Sequence, residues 1–106
     1  MIISNTHSIP GYEIVESLDI ARGSTVRARN IGRDIFAGLK NIIGGEIHEY
    51  TKLMADARED AIDRMIADGK ELGADAIINV RFMTSMVMQG CSEILAYGTA
   101  VKLRKL

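Results

Sequence analysis

Ala76-Ile77-Ile78-Asn79-Val80-Arg81-Phe82-Met83-Thr84-Ser85-Met86-Val87-Met88 is the most strand-like stretch of the chain. Its even positions Ile78, Val80, Phe82, Met86 and Met88 make a nearly continuous apolar face, the two-residue period of an extended backbone. Gln89-Gly90 supplies a reversal, after which Leu95, Tyr97, Thr99, Val101 and Leu103 repeat the alternation. The two arms are expected to pair as an antiparallel hairpin. On the opposite face of the second arm, Ile94, Ala96, Gly98 and Ala100 are mostly small, which leaves room for another surface to come close.

Working back from the hairpin, residues 47–72 carry Tyr50, Leu53, Met54, Ala57, Ala61, Met65 and Leu72 on one stripe. Lys52, Asp56, Glu59, Asp60 and Asp63 cover the remainder, so the spacing predicts a long amphipathic helix. Gly73 is its expected terminator, because glycine takes the left-handed cap without a Cβ penalty. Further back, Asn30 is placed to cap a short helix over 31–43, with Gly44-Gly45 breaking it. Residues 12–26 alternate again, with Tyr12, Ile14, Leu18 and Ile20 on one parity, and predict a first strand. Ile9-Pro10-Gly11 reads as the turn before it, and Arg22-Gly23-Ser24 as a bend within it.

The order strand, two helices, strand, strand implies a two-layer α+β unit. A right-handed crossover makes the first two strands parallel and leaves the third between them, giving a three-stranded mixed sheet of order 1-3-2 under one long helix. One helical layer covers one face. The other face is expected to carry Val15, Ile77, Met83, Val87, Ile94, Ala96 and Ala100, more apolar surface than a monomer tolerates, so a homo-oligomer is expected. All 106 residues fit one domain, 1–106. Thirteen Lys and Arg against fourteen Asp and Glu provide no overall basic field, and no nucleic-acid or membrane partner is expected. A single cysteine, no export-type N-terminus and no apolar run of about 20 residues lead to a cytoplasmic expectation.

The chemistry that stands out is soft. Met83, Met86, Met88 and Cys91 gather around the hairpin, and thioether plus thiolate ligation suits Cu(I). Strand parity divides them, since Met86 and Met88 share a face that Met83 does not, and methionine and cysteine also serve as ordinary core filler. A ring of copies could bring several Cys91 side chains together. His48, beside Glu49, is a weaker metal candidate, because neither it nor His7 has a histidine or carboxylate at the i+4 position. Asp56, Glu59, Asp60 and Asp63 read as a solvated helix face. Cys91 has no histidine in its hairpin and no phosphate-binding glycine loop occurs, so no catalytic residue is nominated and the chain is expected not to be an enzyme. Arg22, Arg27, Arg29 and Arg33, and Lys102, Arg104 and Lys105, lack interleaved aromatics and read as rim charges.

Five blocks resemble the YbjQ-like proteins, a family labelled heavy-metal-binding. They are Arg33-Asp34-Ile35-Phe36-Ala37-Gly38, then Gly44-Gly45, then Tyr50 with Ala57-Arg58, then Leu72-Gly73-Ala74-Asp75-Ala76-Ile77, then Tyr97-Gly98-Thr99-Ala100-Val101. The resemblance runs nearly end to end and implies a small cytosolic protein with a dodecin-like subunit assembled as a ring-shaped pentamer. It also implies a heavy-metal ion as cofactor. In one place the chain departs from the family pattern, with Glu46 where arginine follows the paired glycines. Arg33 and Asp34 fall in a first helical turn, where Asp suits the dipole and Arg does not, so Arg33 is expected to reach a partner, such as a carboxylate across a subunit boundary. Gly38 in a helix and Gly98 in a strand point to close backbone approach; together these four are interface or anion candidates.

Overall fold

The computed structural model describes residues 1–28 and 45–106, with side chains described for 1–26 and 52–106. Its elements are β1 (Ile2–Ile3), β2 (Tyr12–Ala28), α1 (Gly45–Glu71), β3 (Ala76–Met88) and β4 (Cys91–Lys105). The short helix expected over 31–43, together with Arg33, Asp34 and Gly38, lies outside the described residues.

The sheet is α1-covered, mixed and four-stranded, in the order β1-β3-β4-β2. The β2-β4-β3 part reproduces the 1-3-2 arrangement, with β4 antiparallel to both neighbours. The fourth strand corrects the three-stranded expectation. Ile2 and Ile3 pair in parallel with Ala76 and Ile77. The chain then follows the β3 edge, through Ser4 N donating to Ile77 O at 2.9 Å and Val80 N donating to Ser4 O at 3.0 Å. Two residues are too few to show a period, so the strand had no signature.

The ends of α1 and the turns follow from their residues. Gly73 has φ +81°, Ala74 N donates to Gly69 O at 3.0 Å and Gly73 N to Lys70 O at 3.0 Å, the paired bonds of a Schellman cap. Asp75 then ties the connection to β4: its backbone N donates to Val101 O and its Oδ2 accepts from Leu103 N, both at 2.9 Å. Gly11 and Gly90 take φ +83° and +76° in the two reversals. Arg104 and Glu13, partners in register across β2 and β4, form an exposed ion pair.

Which residues face α1 differs from the simple alternation, and bulges are the reason. Register shifts in β2 between Ile14 and Glu16 and between Ser17 and Asp19 each insert a residue and turn the following side chains over. The two insertions cancel beyond Asp19, so Ile14 and Ile20 share the face away from α1, Ile20 57% exposed, while Leu18 between the bulges packs under the helix and Ala21 and Thr25 are buried there. A third shift lies in β3 between Ile78 and Arg81, where Asn79 has φ +52°. Ile77 and Val80 therefore both join the core under α1, whereas Ile78 joins a smaller cluster with Ala76 and Val101 on the other side. The even-numbered face of β3 is thus broken in two.

The layer assignment is also corrected. Ile77, Ile94, Ala96 and Ala100, expected on the open face, pack with Ala57, Ala61 and Met65 of α1. The small residues of β4 admit the helix, not a second molecule. Gly23 has the same origin: it is in register with Ala96, and a Cβ there would run into Met65 N and Ala61 O and lie 2.7 Å from Arg64 C. Thr25 Oγ1 donates to Ala57 O at 3.1 Å in the buried interface.

The helix lies off-centre, chiefly over β2, less over β4 and scarcely over β3. From this position Arg64 Nη1 donates to Ser24 O at 2.6 Å, and Asp68 Oδ2 accepts from Arg22 N at 2.9 Å. Both backbone groups lie on the edge of β2 away from β4. Because the obstruction at Gly23 is helix backbone, Gly23→Ala is expected to lower the stability by about 3 kcal/mol in urea denaturation. Thr25→Val, which removes one buried hydrogen bond, should cost about 1 kcal/mol in the same experiment.

Candidate functional site: the hairpin end and the β3 edge

At the hairpin end the chain brings two of its soft donors together. Met88 and Cys91 are register partners flanking Gln89-Gly90, and Cys91 also pairs with Ala28 of β2. Cys91 is half-buried and its thiol is free. Met83 is not part of this group: it pairs with Leu95, several residues down the strand, and Met86 pairs with Ser92 on the other face. A bulge between Met86 and Met88 separates those two as well, contrary to the shared face that alternation gives them. His48 lies in the first turns of α1, where its side chain is not described. Among the described residues no three His, Cys, Asp or Glu side chains gather at one point.

Gly98 belongs to packing within the subunit. A Cβ on it would lie 2.6 Å from Ile77 Cγ2 and 2.8 Å from Ile78 O. It sits opposite the β3 bulge, which directs both Ile77 and Val80 toward the helix and leaves no volume between them.

The same bulge borders a feature that periodicity missed. A cavity of about 560 Å³ opens at the β3 edge between the N-terminal segment, Ile62 of α1 and residues Val80, Arg81 and Phe82. Arg81 Nη1 donates to Asn5 O at 2.9 Å and to Val80 O at 3.0 Å. Asn79 N donates to Thr6 O at 3.0 Å, so the left-handed residue is held on the N-terminal strap. The available signal was Asn79 itself, a polar residue tolerant of left-handed backbone inside an apolar strand.

A family model described as "Putative heavy-metal-binding" matches residues 1–104. The chain belongs to the YbjQ family. It is 57% identical over 103 residues to a UPF0145 protein of Methanosarcina acetivorans, covering 97% of each chain. It is 61% identical over 104 residues to one of Halorubrum lacusprofundi, covering 98% of this chain and all of that one. Among solved structures, a Pediococcus pentosaceus protein of unknown function from the DUF74 family superimposes with a TM-score of 0.66 at 16% identity, covering 98% of both chains. That likeness is one of fold. No described helix is long and apolar enough to cross a membrane.

The YbjQ-family motif Leu72-Gly73-Ala74-Asp75-Ala76-Ile77 is accounted for by the helix cap, the Asp75 bonds to β4 and the burial of Ala76 and Ile77. The positive φ at Asn79 makes a direct prediction. Asn79→Gly should be neutral or stabilising, whereas Asn79→Val should cost about 2 kcal/mol, measured by thermal unfolding.

Proposed function

We propose that this YbjQ-family chain is a non-enzymatic, homo-oligomeric binding or scaffold protein whose copies cover the outer half of the β3-β4 hairpin. One observation carries this reading. From Arg81 to Met88 every residue of β3 is exposed, including Phe82, Met83, Val87, Met88 at 63% and Met86 at 75%. Because α1 stands over β2, this apolar arm has, among the described residues, no helix above it and no strand at its outer edge. The dimensions agree with an incomplete globule: the Cα radius of gyration is 17.6 Å, against about 13 Å for a compact domain of this length. A dodecin-like subunit in a ring-shaped pentamer, as the family resemblance implies, is the assembly proposed, and the cytoplasm is the compartment proposed. Native mass spectrometry tests it. The expected spectrum is a single closed oligomer, and Met86→Glu with Met88→Glu is expected to release monomers that keep their fold, since both residues are exposed in the single chain.

A second reading is favoured by the Met88–Cys91 pairing and the family description: soft heavy-metal binding, with Cys91 thiolate and Met88 thioether as donors. Two donors per chain fall short of a closed site, so neighbouring copies would supply the rest. Met83 is left out of this donor set by its distance along the strand. A competition titration with a Cu(I) chelator tests the assignment: Cys91→Ser should lower the affinity at least tenfold, and unchanged affinity overturns it.

A further inference from the structure

The cavity at the β3 edge has a construction distinct from the hairpin end. Its walls are apolar on three sides, from Ile3 of β1, Ile62 of α1, and Val80 and Phe82 of β3. Its rim is polar, from Ser4, Asn5 and Arg81. A volume of about 560 Å³ is in the range of small-molecule sites, which pair apolar walls with a few placed polar groups.

Arg81 is what gives the cavity a chemical preference. Its Nη1 is held by two backbone carbonyls, Asn5 O at 2.9 Å and Val80 O at 3.0 Å, so the guanidinium plane is fixed. Its Nε and Nη2 have no acceptor among the described residues. Among the described residues no carboxylate lines the cavity. A fixed guanidinium presenting one unused edge is the geometry that receives a carboxylate through two parallel N–H···O bonds.

The backbone is arranged around the same point. The bulge at Asn79, φ +52°, turns Val80 and Phe82 to the helix side and leaves Arg81 beside the N-terminal strap. Bulges re-aim side chains in this way, and a left-handed residue held by surrounding hydrogen bonds is a common companion of binding sites. Ser4 and Thr6 bond one another through their hydroxyls at 2.6 Å, and Thr6 Oγ1 donates to Ser8 O at 2.8 Å, which braces the strap.

We propose that this cavity binds a small organic monocarboxylate with an apolar body, its carboxylate on Arg81 and its aryl or branched-alkyl part against Ile3, Ile62, Val80 and Phe82. A single cation with apolar walls favours a monoanion over a phosphate dianion, whose second charge would meet no partner. All the lining residues come from one chain, and although Arg81 and Phe82 also begin the arm that copies are proposed to cover, the two readings are tested apart: native mass spectrometry decides the assembly, and ligand titration decides this site.

Saturation-transfer NMR with 3-phenylpropanoate as the probe and 3-phenylpropanamide as its neutral counterpart tests the site. Saturable binding of the acid at least about tenfold tighter than the amide is expected, with the tenfold advantage lost in Arg81→Gln and partly kept in Arg81→Lys. Because Arg81 also holds the strap, Ile62→Trp gives a second route. It fills the cavity without touching the carbonyl bonds and should abolish binding while the strap amides keep their hydrogen-exchange protection. Absence of saturable binding up to about 10 mM, equal binding of acid and amide, or undiminished binding in Arg81→Gln overturns the proposal.

Discussion

The backbone of α1 rests directly on the backbone of β2 at Gly23, and the rest of the subunit is arranged around that contact. With no Cβ between them, Ala61, Arg64 and Met65 come within van der Waals reach of the strand. Ala21 and Thr25 flank it in β2, Ala57 and Ala61 face it from α1, and Ala96 lies beside it in β4. Small residues on both surfaces shorten the distance between helix and sheet, and dispersion contacts grow accordingly. The contact also fixes where the helix lies. A helix seated on β2 can place Arg64 and Asp68 over that strand's outer edge, and it leaves most of β3 without the helix above it. The exposed hairpin arm and the neighbouring cavity are therefore two results of one off-centre seat.

Much of this architecture was legible in the sequence because it is written in long periods and in punctuation. The helix stripe spans many turns, the hairpin arms each repeat over several pairs, and Gly73 and Gly90 stand where the backbone needs left-handed geometry. What was not legible was which face each strand presents. Strand alternation has a period of two, so one inserted residue reverses every later side chain. Leu18 turns away from Ile14 and Ile20 because it lies between the two insertions in β2, and Ile78 and Val80 separate after the one at Asn79. The inverted assignment of Ile94, Ala96 and Ala100 has a related cause. Small side chains show that something approaches closely, but they do not say whether it is the chain's own helix.

The candidate site divides along the same line. Met88 and Cys91 come together because a tight turn sets the register of the residues beside it, which sequence spacing conveys. Met83 falls away for the same reason, being further from the turn. The Arg81 cavity depends on two events without periodicity: the left-handed Asn79, and the docking of residues 1–6 along β3. Neither a motif nor a stripe announces a one-residue bulge meeting an irregular strap.

The side-chain bonds on the edge of β2 have a consequence for how the sheet can grow. An edge strand offers unpaired N–H and C=O groups to any passing strand, and repeated addition produces fibrils. Here Arg64 occupies Ser24 O and Asp68 occupies Arg22 N, so an incoming strand must first displace charge-assisted bonds from its own landing site. Blocking one edge is sufficient to stop indefinite stacking, since an endless ribbon of copies needs two compatible edges per molecule. The helix thus acts as a polymerisation stop for the strand it covers.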